Sequence, residues 1–148
     1  MPNHDLDPEQ LRDLRALAGI IIPPSATYDV PGADDERIFS DIQRSLERDR
    51  DDVRSALAQL ATLAGGAFAD LEPADRAAVA AAFREAGGAP LAALVRVVLL
   101  CYYRDDRVMR SLGQEPRPPF PKGHVVEQGD WSLLDPVRAR KPMYRTVD

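Results

Sequence analysis

Few side chains in this 148-residue chain are of the types that perform catalysis or bind metal ions. The two histidines, His4 and His124, lie far apart in the sequence, and neither has the neighbours that a Ser-His-Asp triad or a metal site requires. The single cysteine, Cys101, cannot form an intramolecular disulfide and lies in the most apolar part of the chain. We therefore interpret it as a buried structural thiol, and we predict no catalytic, cofactor-binding or metal-binding residue.

Three pairs of adjacent aspartates, Asp34–Asp35, Asp51–Asp52 and Asp105–Asp106, could in principle supply acid–base chemistry. Such chemistry needs two carboxylates in different environments, one of them desolvated. Each pair instead precedes a predicted helix, where the helix dipole stabilises negative charge, so capping is the favoured interpretation. The glycine pairs Gly65–Gly66 and Gly87–Gly88 have no phosphate-binding pattern around them, and we interpret them as helix ends.

The charge balance argues against nucleic acid as a partner. The chain has 19 basic and 24 acidic residues, a formal net charge of −5 and a pI near 5.0, whereas binding to phosphates needs a basic face.

The first residues lack both a basic region followed by an apolar core and a twin arginine, so we predict no signal peptide and a cytoplasmic location. The longest apolar run contains Arg96 and is too short for a membrane span, so we predict no direct membrane insertion.

Local signals predict an all-α fold, a small bundle of five to six helices, because no segment alternates for long enough to indicate a strand. In the first helix, Asp7 is the expected N-cap, Pro8 suits the first turn, and Gln10 completes a capping box. This helix must end by Ile22, because two prolines follow. Apolar residues at helical spacing predict further helices that begin near residues 35, 49 to 51, 73, 90 and 105.

The run from Pro90 to Gly113 is the longest strongly apolar stretch. Apolar residues recur there at helical spacing and also occupy much of the remaining circumference. A helix that is apolar nearly all round is buried, so we predict a central helix, with Tyr102 and Tyr103 where the chain leaves it. The residues at helical spacing are Leu91, Leu94, Val95, Val98 and Leu99, and those that fill the rest are Val97, Leu100 and Cys101.

The last 35 residues differ from the rest. We predict a helical bundle domain over residues 1–113 and an extended, proline-rich C-terminal arm over residues 114–148. Apolar residues spaced between prolines suit a segment that lies extended in a groove. The sequence leaves open whether that groove belongs to the chain's own bundle or to a partner.

Aromatic and leucine side chains near the end of the central helix and in the arm are the candidates for partner contact. Tyrosine and tryptophan are enriched at the energetic centres of interfaces, although near a helix end they are also common as half-buried core residues. The candidate partner-binding residues are Tyr102, Tyr103, Phe120, Trp131, Leu133, Leu134 and Tyr144.

Four short motifs in the chain are similar to those of a known family. The first two are L-R-D-L-R-A-L-A-G-I-I-I-P-P (Leu11 to Pro24) and P-G-A-D-D-E-R-I (Pro31 to Ile38). The others are F-A-D-L-E-P-A-D-R (Phe68 to Arg76) and C-Y-Y-R-D-D-R-V (Cys101 to Val108). These motifs resemble the gluconate 2-dehydrogenase subunit 3 family, which has a helix, two turns and a second helix at the first two, and the resemblance covers roughly residues 8 to 113.

The resemblance implies a non-catalytic small subunit that binds and stabilises a larger FAD-dependent alcohol or sugar dehydrogenase of the glucose–methanol–choline type. It implies that FAD is bound by the larger subunit, and that the small subunit helps in assembly or export. Many family members carry a twin-arginine signal that this sequence lacks, so export to the periplasm would need a signal-bearing partner. The alternative is a helical adaptor or scaffold unrelated to redox enzymes.

Overall fold

The computed structural model describes residues 6–117, 123 and 125–141. This part of the chain contains seven α-helices, three short 3-10 helices and no strand, which confirms the predicted all-α fold. The chain divides into two compact units, Met1–Pro116 and Arg117–Asp148. The helices are α1 (Pro8–Ile21), α2 (Glu36–Arg44), α3 (Arg50–Ala64), α4 (Pro73–Ala86), α5 (Ala89–Tyr103), α6 (Asp106–Ser111) and α7 (Asp135–Arg138), and the 3-10 helices are Glu47–Asp49, Phe68–Asp70 and Trp131–Leu134.

Helix ends follow the local sequence signals. The carboxylate of Asp7 accepts a hydrogen bond from the Gln10 backbone at 2.8 Å, and the Gln10 side chain accepts one from the Asp7 backbone at 3.1 Å. The predicted capping box is therefore confirmed. At the end of α3, Gly65 has φ 70°, and the Gly66 N–H reaches back to the Ala61 carbonyl. This is the Schellman arrangement, and it needs a residue that tolerates left-handed backbone.

The core of the first unit is formed where α3 packs along α5, with α1, α2 and α4 packed against this pair. Burying one Val, Leu, Ile or Phe side chain contributes about 1.5–3 kcal/mol, so the twelve largest fully buried side chains, eleven of these types and one cysteine, dominate the stability of the bundle. These largest fully buried side chains are Phe68, Phe83, Leu14, Ile38, Ile42, Leu57, Leu60, Leu94, Val53, Val98, Val108 and Cys101.

Helix α5 is buried on one side only. Leu100 is 57% exposed and Tyr103 is 53% exposed, and Leu99 is also exposed. The prediction of a helix buried nearly all round is therefore wrong. The neighbouring helices α2 and α3 cover a single face of α5, because a helix at the side of a small bundle has neighbours on one side. The buried residues on that face are Ala93, Leu94, Val97, Val98, Cys101 and Tyr102.

The loop between α1 and α2 is held closely against the end of α1. The Ala33 N–H donates to the Ile22 carbonyl at 2.9 Å, and Ala33 is fully buried. Gly32 is required by space, since a Cβ there would overlap Asp34 Oδ1 and would lie 3.0 Å from Pro24 Cδ. The two sequence motifs on either side of this loop therefore form one structural joint.

A second joint fixes the 3-10 helix Phe68–Asp70 to α1 and α4. The buried carboxylate of Asp13 accepts a hydrogen bond from the Ala69 N–H at 2.8 Å. From α4, Arg76 Nη2 donates to the carbonyls of Ala69 and Leu71, both at 2.8 Å. These bonds satisfy backbone groups that the short helix cannot pair itself, and they hold Phe68 in the core.

The second unit is only partly extended in the portion that the structure describes. Residues 125–130 have no regular structure, and a 3-10 turn and α7 follow them. The carboxylate of Asp130 begins the turn by accepting hydrogen bonds from the Ser132 N–H at 3.0 Å and from its hydroxyl at 2.6 Å. No helix was predicted in this region, because its two elements are too short to show apolar residues at helical spacing.

Candidate interaction surface

The two adjacent tyrosines of α5 have different environments. Tyr102 is 5% exposed, and its ring packs edge to face on that of Tyr103, with centroids 5.2 Å apart. Burial also raises the pKa of the Tyr102 hydroxyl. A buried ring offers no face to another protein, so Tyr102 is a core residue and not the partner-binding residue that we predicted. Tyr103 lies at the surface, as a partner-binding role requires.

Tyr103 belongs to a shallow apolar depression, which we call the α5 surface. Its volume is about 670 Å³, and the exposed side chains of Leu99 and Leu100 belong to its lining. Two arginines, Arg96 and Arg104, also line it, and their side chains are half-exposed. The α5 surface is lined by Ala92, Val95, Arg96, Leu99, Leu100, Tyr103 and Arg104.

An apolar groove between α1, α4 and α5 adjoins the α5 surface, and Val95 lines both. The groove has a volume of about 470 Å³. Alanines on α4 leave this space, because their short side chains do not fill the angle between the helices. The groove is lined by Leu17, Ile20, Ile21, Ala77, Ala80, Ala81, Phe83, Arg84, Leu91 and Val95.

The second unit has an apolar turn of its own. Trp131, Leu133, Leu134 and Val137 are all exposed. Trp131 and Leu134 are three residues apart in a 3-10 helix, which places their side chains on the same side. The other two predicted partner-binding residues of the arm, Phe120 and Tyr144, lie outside the described residues.

The strongest polar cluster joins the beginnings of α2 and α6 through Arg107. Its guanidinium donates to Asp35 Oδ1 at 2.6 Å and to Asp105 Oδ1 at 3.0 Å. Both carboxylates also cap their helices, as predicted for these acidic pairs. Hydrogen bonds from Arg107 lower the pKa of both aspartates. Carboxylates held ionised in this way stabilise structure and are poor proton donors near neutral pH.

A second cluster lies between α2 and the end of α5. Arg104 donates to Asp41 at 2.5 Å and to the Ser45 hydroxyl, and it lies 3.6 Å from the sulfur of Cys101. The hydrogen bond from Arg104 lowers the pKa of Asp41, while burial raises the pKa of the Cys101 thiol. The cleft here, about 240 Å³, is lined by balanced aspartates and arginines. A protonated, buried thiol is a weak nucleophile, which agrees with a structural Cys101.

Asp49, rather than the predicted pair Asp51–Asp52, precedes α3, and that pair lies in the first turn of the helix. Asp49 occupies the N-cap position, but its carboxylate makes no capping hydrogen bond. It accepts instead from Arg96 Nη2 at 2.7 Å and from Arg48 Nε at 3.3 Å. The bond to Arg96 therefore links the start of α3 to α5 across 47 positions of sequence.

Sequence reasoning identified the acidic pairs that contain Asp35 and Asp105 but not Asp41 and not the arginine partners. Asp35 and Arg107 are 72 positions apart, and no local pattern indicates such a pair.

Within the described part of the chain, no group of three or more His, Cys, Asp or Glu residues could hold a metal ion. No single helix there is long and apolar enough to cross a membrane, and the one pair that passes together, α4 and α5, is bent by 116°.

The chain was compared with family models, with curated proteins and with solved structures. None of the three comparisons gives a match.

Proposed function

We propose that this chain is a non-catalytic small subunit that binds and stabilises a larger FAD-dependent alcohol or sugar dehydrogenase. The observation that carries the proposal is the α5 surface and the groove beside it. Together they form an exposed apolar area along α5 that extends to α1 and α4. Contiguous apolar patches of this kind mark sites of protein interaction in soluble proteins.

The resemblance to the gluconate 2-dehydrogenase subunit 3 family supports a flavoprotein as the partner. In that family the larger subunit holds FAD and performs the oxidation, so the small subunit needs no catalytic group of its own. The pairing of each cluster aspartate with arginine fits this role, because ionised, paired carboxylates stabilise the bundle rather than transfer protons. We expect the exposed turn at Trp131 to add a second contact with the partner.

A helical adaptor unrelated to redox enzymes would use the same surface. The two functions differ in what the partner contains, because only a dehydrogenase partner brings a flavin. Purification of the full-length chain from the cells that produce it separates them, with the protein partner and the visible absorbance of flavin as two readouts.

Matched variants locate the contact in the same experiment. Leu100→Glu places a charge in the α5 surface, while Leu63→Glu places one on an exposed leucine outside both apolar areas. We expect a yellow complex with the wild type and with Leu63→Glu, and its loss with Leu100→Glu. A wild-type chain that elutes alone and colourless, from cells that contain a flavoprotein dehydrogenase, would refute the proposal. A stable colourless complex would favour the adaptor.

The contribution of the arm to partner binding is tested by combining Trp131→Ala with Leu134→Ala in the full-length chain. Both side chains are exposed, so the double variant should leave folding intact. Weaker binding of the larger subunit is expected, because interface tryptophans commonly contribute about 2 kcal/mol or more, roughly thirtyfold in affinity. Unchanged affinity would show that this turn does not bind the partner.

A further inference from the structure

The exposed side of α5 carries two parallel rows of side chains at a spacing of four residues. The first row, Leu91, Val95, Leu99 and Tyr103, is apolar throughout. Rows spaced by four residues form the ridges that interlock when two helices pack. An apolar ridge of this kind is therefore shaped to receive another helix.

The second row alternates apolar and basic residues: Ala92, Arg96, Leu100 and Arg104. The groove beside it adds Arg84, and neither lining contains an acidic side chain. This is the reverse of the whole chain, whose net charge is −5. Asp49 and Asp41, which pair with two of these arginines, lie outside both linings, so the charged side chains that line the face are basic and their complement is an acidic segment.

Each of the two arginines of this row is held in place by an ion pair with an aspartate. Arg96 donates to Asp49 and Arg104 donates to Asp41. The hydrogen bond to Asp49 uses one of the five donors of the Arg96 guanidinium, whose side chain is half-exposed. Arginines fixed in this way lose less conformational entropy when they bind a second carboxylate.

From these features we infer that the face binds an amphipathic helix of the larger subunit with an apolar ridge flanked by Asp or Glu. The inference depends on the proposed function, since it assigns the helix to that subunit. From Leu91 to Tyr103 the ridge spans about 18 Å, so the bound helix has about three turns. Arg96 and Arg104 are about 12 Å apart along the axis. The partner's acidic side chains should therefore be about two turns apart.

Photo-crosslinking in the producing cells tests the inference on the full-length chain. A benzophenone amino acid replaces Leu100 in one variant and Leu63, as the control, in another, and mass spectrometry identifies the crosslinked segment. We expect the probe at position 100 to capture one segment with apolar residues at helical spacing and acidic residues beside them. Capture of a basic segment, of a second copy of this chain or of its own residues 114–148 would overturn the inference, as would capture no stronger than at position 63.

A synthetic probe tests the charge preference separately. Two amphipathic helical peptides of about 14 residues share one leucine ridge, and the flanking residues are glutamates in one and lysines in the other. The glutamate peptide should bind the full-length chain about two- to tenfold more tightly, and Leu100→Glu should abolish the binding. Equal binding, or tighter binding of the lysine peptide, contradicts the inference.

Failure of the inference and failure of the proposed function give different results. A captured acidic helix from a protein without flavin would support the kind of segment that the face binds, but it would refute the dehydrogenase proposal and with it the assignment of the helix to that subunit. Capture of a flavoprotein dehydrogenase through a segment that is neither helical nor acidic would support the proposed function and refute the inference.

Discussion

Replacing Arg107 with methionine should destabilise the bundle more than replacing any arginine whose ion pair is fully exposed. The guanidinium bridges two helix starts, with donor–acceptor distances of 2.6 Å to Asp35 and 3.0 Å to Asp105. The side chain of Asp105 is only 5% exposed. Methionine preserves much of the aliphatic length while it removes the charge, so the variant isolates the ionic contacts.

The expected cost lies between two limits. Exposed ion pairs contribute about 0.2–1 kcal/mol, and breaking a buried pair costs about 3–5 kcal/mol, because one charge is left without a partner. Arg107 is 36% exposed and Asp105 is buried, so the pair lies between these cases. We expect the free energy of unfolding to fall by about 2 kcal/mol, or the Tm by about 4–8 °C in a chain of this size.

The pH dependence gives an independent check. Hydrogen bonds from Arg107 lower the pKa of Asp35 and Asp105 in the folded protein. The stability they provide is therefore present above the ordinary aspartate pKa of about 3.9 and is lost as the pH falls through the lowered values. The difference between wild type and variant should be constant near neutral pH and should shrink below about pH 4.

Denaturant unfolding followed by circular dichroism measures these differences. The matched control is Arg110→Met, since Arg110 lies on the same helix and forms an exposed pair with Asp106 at 3.6 Å. The control should cost less than about 0.5 kcal/mol. If Arg107→Met costs no more than the control, or if its cost persists unchanged at low pH, the bridge does not stabilise the fold as argued.

Three further predictions concern the packing of the chain. Gly32→Ala should lower the free energy of unfolding by about 1–3 kcal/mol because its Cβ would clash, whereas Gly129→Ala, with nothing within 4 Å, should stay within about 0.5 kcal/mol. The thiol of Cys101, which is 1% exposed, should react with Ellman's reagent only after unfolding; rapid reaction of the native protein would contradict its burial. Leu94→Ala should cost about 2–5 kcal/mol and Leu100→Ala under about 1 kcal/mol, and equal costs in thermal unfolding would refute the one-sided burial of α5.

The sequence predicted helix limits well, because the signals for them are local. The capping box at Asp7 and the left-handed glycine at Gly65 lie within a few residues of the backbone groups that they satisfy. The pairs Asp34–Asp35 and Asp105–Asp106 were predicted as caps for the same reason, and one member of each, Asp35 and Asp105, caps its helix. Capping interactions that lie within one helical turn can be predicted from the sequence without knowledge of the tertiary fold.

The candidate surface could not be predicted in the same way. In α5 the apolar residues surround the axis, so no polar stripe shows which side faces water, and Leu94 and Leu100 look alike in the sequence. Only the positions of α2 and α3 decide that the first is buried and the second is exposed. The partners of Asp35 and Asp49 were missed for a related reason, since both arginines come from distant helices.

The motifs that resemble the gluconate 2-dehydrogenase subunit 3 family lie mainly where the bundle is held together. Gly32 and Ala33 close the loop after α1, and Arg76 holds the turn that follows α3. Residues needed for such joints constrain the fold and do not specify what the fold binds. In the proposed function, the specific partner is recognised through surfaces such as the row from Leu91 to Tyr103 and the turn at Trp131. A chain that shares only the joints would share the bundle, and a chain that also shares the alternation of Arg96, Leu100 and Arg104 should share the partner.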